Sequence, residues 1–170
     1  AGKSYFFKAM AAIALGKKVI IFGVSYALVD LAELNIDLSQ AIIIETGGMK
    51  GRRKELTKVE LHAELKKGLG VDHVCSEYGM TELLSQGYSM KDGKFRVVPW
   101  MKILIRDPYD PFSFFPAERT GGINVIDLAN QHSCAFIQTQ DLGRIEADGF
   151  YLEGRFDEAD IRGCNLLVDQ

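Results

Sequence analysis

Short all-apolar runs alternate along the chain with longer stretches in which apolar positions recur every three or four residues. Ser4 to Leu15, rich in alanine and aromatic residues and followed by Gly16, predicts a helix. Val19 to Val24 is a continuous apolar run of strand length. Ser25 then stands where an N-cap is needed for a second helix from Tyr26 to Leu34. Ala41 to Glu45 is the next such run and ends in Thr46-Gly47-Gly48. Thr57-Lys58-Val59-Glu60 has the form of a capping box, with Leu61, Leu65 and Leu69 following at four-residue intervals. Strand–helix–strand–helix with strands apolar throughout predicts a parallel sheet covered on both faces.

After Gly93 the pattern changes. Phe95 to Arg106 is strand-like but contains Pro99, which predicts an edge strand or a bend. Gly122–Leu128, Ala135–Thr139 and Phe150–Glu153 are short runs separated by turn residues such as Asp148-Gly149, the pattern of antiparallel strands. The expected fold class is therefore α/β: a parallel α/β half-sheet over residues 1–93, then a mostly β portion over 94–170, in one folded unit.

Composition adds mainly exclusions. A chain of 170 residues suits one domain at roughly 150 residues each and can bury about 70% of its unfolded surface. Apolar residues make up 47% and charged residues 25%, which excludes a disordered chain. Twenty basic against 23 acidic residues leave a net charge of −3, against a role in coating nucleic acid or anionic lipid. No apolar run approaches the ~18 residues of a membrane span, so no membrane span is expected. The three cysteines, Cys75, Cys134 and Cys164, are widely spaced and form no C-x-x-C pair, which fits a reducing cytoplasm better than a disulfide framework. The three histidines show no zinc spacing. Cys75 and Cys134 lie in apolar stretches and read as structural. The chain opens at Ala1, without methionine and directly on structure, which reads as the middle of a larger protein.

Two segments carry candidate chemistry. Lys50, Arg52, Arg53, Lys54 and Lys58 form a basic cluster, either a solvated loop and helix start or a contact for a phosphate-bearing cosubstrate. Cys75-Ser76-Glu77-Tyr78-Gly79-Met80-Thr81-Glu82 places an aromatic, a glycine, a hydroxyl and a carboxylate together before Leu83-Leu84-Ser85-Gln86, which reads as helical. Thr81 at a helix start would meet free amides suited to a phosphate. Glu82 could hold Mg²⁺, which takes a carboxylate together with phosphate oxygens. On these residues alone the segment reads equally well as a capped core helix with a buried tyrosine.

Tyr78-Gly79-Met80-Thr81-Glu82 resembles the Tyr-Gly-x-Thr-Glu motif of the adenylate-forming superfamily, which includes acyl-CoA synthetases. Three further segments follow the order of that family. Glu45-Thr46-Gly47-Gly48 resembles its adenine-flanking glycines, and Thr139-Gln140-Asp141-Leu142-Gly143 its Thr-Gly-Asp-Leu-Gly. Gly154-Arg155-Phe156-Asp157, with Ile161-Arg162-Gly163 beyond, resembles its Gly-Arg-x-Asp hinge. The resemblance runs from Val19 to Val168. It implies that Tyr78 stacks on adenine, that Gly47 and Gly48 with Gly79 admit the nucleotide, and that Thr81 contacts the α-phosphate. It also implies that Glu82 ligates Mg²⁺, that Asp141 binds the ribose, and that Arg155 lies near ribose or phosphate. Gln140 replaces a glycine, which puts the local turn in question.

The family's Ser/Thr/Gly-rich phosphate loop and its C-terminal lid lysine are not in the sequence, so the chain resembles the C-terminal half of such an enzyme. Cys164 near the C-terminus is similar to the acyl-accepting cysteine of the acyl-protein synthetase, or LuxE-like, branch. That likeness implies ATP-dependent activation of a carboxylic, chiefly fatty, acid as acyl-AMP, capture as a thioester on Cys164, and delivery to a partner reductase. Alternatives are a phenylacetate-type ligase using coenzyme A, and a non-catalytic assembly domain. The isolated chain is expected to be inactive and to self-associate through its exposed sheet edge. Trp100, Phe112, Phe114 and Phe115 could line an acyl tunnel but read rather as core.

Overall fold

A computed structural model describes residues 2–47, 56–91 and 93–156, with side chains from Phe7 onward. The chain divides into two compact units, Ala1–Tyr78 and Gly79–Gln170.

The first unit is the parallel α/β portion. It contains helix α1 (Gly2–Ala14), strand β1 (Val19–Val24), helix α2 (Ser25–Ala32), strand β2 (Ala41–Thr46), helix α3 (Lys58–Leu69) and strand β3 (Cys75–Tyr78). β2 pairs in parallel with β1, Val19 opposite Ala41 through Val24 opposite Thr46, and with β3, Ile44 opposite Cys75 through Thr46 opposite Glu77. Side chains alternate across these strands, so Ile43 on one face of β2 joins Leu28 and Val29 of α2 and Leu61, Leu65 and Leu69 of α3 in a single core. Met10 and Ile13 of α1 pack against the same core. α2 and α3 cross closely: a Cβ on Gly68 would lie 2.4 Å from the Ala32 carbonyl oxygen.

The capping box forms as expected, with Thr57 Oγ1 accepting from the Glu60 amide and Glu60 accepting from the Thr57 amide. Two expectations are corrected. The helices cover one face of the parallel strands, whereas Ile20, Phe22 and Ile42 on the other face are exposed. Ser25 does not cap α2 from outside but is its first residue, after Val24, and its hydroxyl donates instead to Glu45 Oε2 at 3.2 Å.

The second unit contains β4 (Gly87–Ser89), β5 (Lys94–Phe95), β6 (Met101–Arg106), β7 (Gly121–Asp127), a 3₁₀ turn (Leu128–Asn130), β8 (Phe136–Glu146) and β9 (Gly149–Arg155). The last five strands form an antiparallel sheet of order β5-β9-β8-β7-β6, so the change of pattern after Gly93 marks the sheet's first strand. The run from Phe95 to Arg106 is broken at Pro99–Trp100 into β5 and β6, as the proline allows. Phe95 and Phe150 stack with ring centroids 5.4 Å apart, and Ile103, Ile105, Ile123 and Val125 are buried on β6 and β7.

The aromatic residues expected in the core are outside it. Trp100, Phe112 and Phe114 are exposed, Phe112 at 91%, because they lie in the bends and loops flanking β6 rather than on a strand's inner face. Phe115 is half-buried, with the Arg119 guanidinium 3.7 Å from its ring centre. Cys75 is buried as expected. Cys134 is exposed, because it falls in the turn leading into β8. No helix among the described residues is long and apolar enough to cross a membrane.

Candidate functional site

The first unit gathers polar groups at the C-terminal ends of its strands. Glu45 on β2 is fully buried on the face covered by helices. Lys58 Nζ of α3 lies 2.5 Å from its Oε1, and His62 Nε2, one helical turn later, lies 3.5 Å from the same oxygen. The same His62 nitrogen is 3.1 Å from the hydroxyl of buried Ser76 on β3. Burial pushes the Glu45 carboxyl up, but hydrogen bonds from His62, Lys58 and Ser76 and the Lys58 charge outweigh it and bring it down to about 2. This network ties β2, β3, α2 and α3 together directly beneath Gly47. Gly47 and Tyr78 are the residues that follow the paired Thr46 and Glu77, so parallel register brings these two candidates side by side. Tyr78 is buried and Gly79 exposed. Gly48, the basic residues Lys50, Arg52, Arg53 and Lys54, and Cys164 with the 161–163 segment lie outside the described residues.

In the second unit Thr81 and Glu82 are exposed and sit in a turn. The helix expected over Leu83-Leu84-Ser85-Gln86 does not form. Its place is taken by a bent loop held by Asp127, more than forty residues downstream. The buried Asp127 carboxylate accepts from the Leu84 amide (3.0 Å), the Ser85 amide and hydroxyl (each 2.8 Å) and the Ala129 amide (3.1 Å). Burial pushes this carboxyl up, and the bonds from Ser85, Ala129 and Leu84 pull it below its ordinary value. Asn130 Nδ2 donates to the Glu82 carbonyl at 2.6 Å, and Trp100 Nε1 donates to Ser85 Oγ at 3.0 Å. The Leu84 and Ser85 amides are therefore committed to an internal anion, and a helix N-terminus does not supply phosphate donors here. The exposed residues of the loop are Thr81, Glu82 and Leu84. Asp127 and Asn130 escape a reading of the sequence; the only local sign is an Asp and an Asn closing an apolar strand.

Asp141 and Arg155 are brought together. They lie opposite each other on β8 and β9, with Arg155 Nη1 3.5 Å from Asp141 Oδ1. Asp141 occupies a bulge: between the pairs Asn124–Gln138 and Gly122–Leu142, three residues of β8 face one of β7. Thr139 shapes it, its hydroxyl donating to the Ile123 carbonyl (2.9 Å) and accepting from the Asp141 amide (3.1 Å). Gln140 belongs to this extended segment and does not have positive φ, so the glycine of the related motif is not required. Gly154, by contrast, has φ +141°, which only glycine adopts readily. The loop carrying Thr81 and Glu82 is anchored at the Asp127 end of β7. The Asp141 bulge faces Ile123, four residues and roughly 13 Å back along that strand.

Glu82 suits Mg²⁺ by its chemistry, since that ion takes one or two carboxylates and completes its shell with phosphate oxygens and water. Among the described residues no group of three or more His, Cys, Asp or Glu side chains could hold a metal by itself.

No protein-family model matches the sequence, and no curated protein matches it. Solved structures do. Apo MatB from Rhodopseudomonas palustris aligns with 88% of this chain and 33% of its own, at 18% identity and a TM-score of 0.61. McyG A-PCP complexed with phenylalanyl-adenylate aligns over 91% and 33%, at 15% identity and a TM-score of 0.63. o-Succinylbenzoate CoA synthetase (MenE) from Bacillus subtilis, a double mutant bound with a product analogue, aligns over 87% and 33%, at 21% identity and a TM-score of 0.58. The chain spans about a third of the length of these structures. The mixed α/β fold, a parallel sheet followed by an antiparallel one, is shared with part of each of these structures.

Proposed function

We propose that this chain forms the nucleotide-binding portion of an enzyme that activates a carboxylic acid, chiefly a fatty acid, with ATP and passes the acyl group to a thiol. The observation that carries the reading is the Asp141–Arg155 pair on the β8 bulge, in a fold shared with structures described as bound to ATP, to phenylalanyl-adenylate and to anthranoyl-AMP. The Asp141 carboxylate accepts hydrogen bonds from the ribose hydroxyls, and Arg155, 3.5 Å from that carboxylate, lies near ribose or phosphate. Gly47 and Gly79 leave backbone open to the adenine beside Tyr78, and the Thr81 hydroxyl donates to the α-phosphate. A Mg²⁺ ion on Glu82 would neutralise phosphate charge.

The substrate carboxylate oxygen attacks the α-phosphorus, the bond to the β-phosphate breaks, and pyrophosphate departs with the electron pair. A thiolate then attacks the acyl carbon and AMP leaves. We assign the thiol to Cys164, with delivery to a partner reductase and a reducing cytoplasm as the setting. Free coenzyme A is the second reading, favoured by the anthranilate and o-succinylbenzoate CoA enzymes among the structural neighbours.

Intact mass spectrometry of the protein in its natural polypeptide context, incubated with ATP, Mg²⁺ and mixed carboxylic acids, tests this beside Cys164→Ser. An acyl-sized gain that hydroxylamine removes and the variant lacks supports self-acylation. AMP released only with coenzyme A moves the thiol to that cosubstrate. No AMP from any acid under either condition overturns acid activation.

A further inference from the structure

Arg106 ends β6 and is buried, only 4% exposed. Its guanidinium donates to three neutral oxygens: Nη1 to the Ile123 carbonyl (3.2 Å) and Asn124 Oδ1 (2.9 Å), and Nη2 to the Thr139 carbonyl (2.9 Å). Among the described residues no carboxylate pairs with it. A buried cation without a counter-ion is costly, so the geometry of its donors is what the site gains from it. The surrounding strand leaves it a seat: a Cβ on Gly122 would fall 2.4 Å from Cζ. The Phe156 ring lies 5.1 Å from Cζ.

We infer that Arg106 is a positioning residue for the Asp141 carboxylate, its planar fork fixing the Thr139–Asp141 bulge against β7. Ile123 is the one β7 residue facing the bulge, and its carbonyl receives both Arg106 Nη1 and the Thr139 hydroxyl. That hydroxyl in turn accepts the Asp141 amide. The same guanidinium therefore grips the bulge at the Thr139 carbonyl and its support at Ile123, and sets where the following carboxylate stands. Lysine carries the charge but no planar fork and cannot span these acceptors. The ribose-binding role of Asp141 rests on the proposed function; the positioning of Asp141 does not.

The test compares the chain with Arg106→Lys, Arg106→Met and Gly122→Ala, the last keeping the charge but filling its seat. Amide hydrogen exchange is read residue by residue, and AMP is titrated to millimolar concentration while the Asp141 amide shift is followed. Protection at Asp141 and Leu142 should fall at least tenfold in all three variants that fold, while Ile103 and Val125 change less than threefold. AMP should bind the same variants at least fivefold more weakly. Unchanged protection at Asp141 overturns the inference, and so does an equal loss throughout the sheet, which would make Arg106 only a general stabiliser. If the wild-type chain leaves the Asp141 signal unmoved by AMP while the local loss of protection occurs, the ribose reading falls and the positioning role stands.

Discussion

Glu45 gives the sharpest energetic prediction, because its charge is both fully buried and strongly favoured. Held at about 2 in the folded chain against an ordinary 4.5, it contributes about 3 kcal/mol to stability at neutral pH. The folded value is the lower one, so the contribution is complete above the ordinary carboxylate range and fades as pH falls toward 2. At pH 3 roughly 2 kcal/mol of it should be gone. Glu45→Gln removes the titrating group while nearly keeping its volume. Urea unfolding of wild type and variant from pH 7 to pH 3 should therefore show a stability gap that narrows by about 2 kcal/mol. Asp37, Asp110, Asp127 and Asp148, whose carboxyls are also lowered, are present in both proteins and cancel in the difference. The single tryptophan, Trp100, lies in the second unit, so the readout must be hydrogen exchange at β2 and α3 amides. A gap that stays constant across this range would show that Lys58, His62 and Ser76 do not hold the charge.

Gly68→Ala should destabilise the first unit by about 1–3 kcal/mol in urea, since the helix-propensity gain of about 1 kcal/mol is outweighed by a methyl driven into the Ala32 backbone. Asp127→Asn removes a charged acceptor shared by four donors; a loss of about 2–4 kcal/mol and an altered Trp100 emission are expected, and an unchanged spectrum would contradict the loop's attachment. With iodoacetamide, Cys134 should react before Cys75, and Cys75 only on unfolding, because Cys75 is buried and burial raises its thiol; peptide mapping of these two cysteines in a timed alkylation decides this. The uncovered Ile20, Phe22 and Ile42 face, beside the edge strand β1, should drive self-association, seen in solution scattering at high concentration and relieved by Phe22→Ser; a monomer throughout would refute it.

The parallel portion was legible because its determinants are local. Apolar runs at Val19–Val24 and Ala41–Ile44 leave few alternatives to strands, and the Thr57–Glu60 box closes within three residues. Local signals mislead where a distant partner captures them. Ser25 has the chemistry of an N-cap, but Glu45, twenty residues on, takes its hydroxyl. Leu83–Gln86 has helical composition, but Asp127 takes the amides of Leu84 and Ser85. The exposed Phe112 and Phe114 lie in the loop after β6, where aromatic composition carries no information about burial. The expected site residues Tyr78, Thr81, Glu82, Asp141 and Arg155 stand in short local motifs, and of these the structure sets Asp141 opposite Arg155. The groups that hold them, Asp127, Asn130 and Arg106, act across strands and leave almost no trace in sequence order.

The β8 bulge contains two residues more than a regular ladder needs, and that number is even. An even insertion preserves parity: side chains before and after it keep the faces they would have without it. Excising a pair of residues from Thr139–Asp141 would leave β8 a shorter regular strand with its inward and outward positions unchanged. Excising a single residue would turn every later position of β8 inside out, with Leu142 sent from its buried position to the opposite face. The carboxylate thus stands in a stretch whose length is free to change in steps of two, so that its loss and the loss of the sheet are separate events.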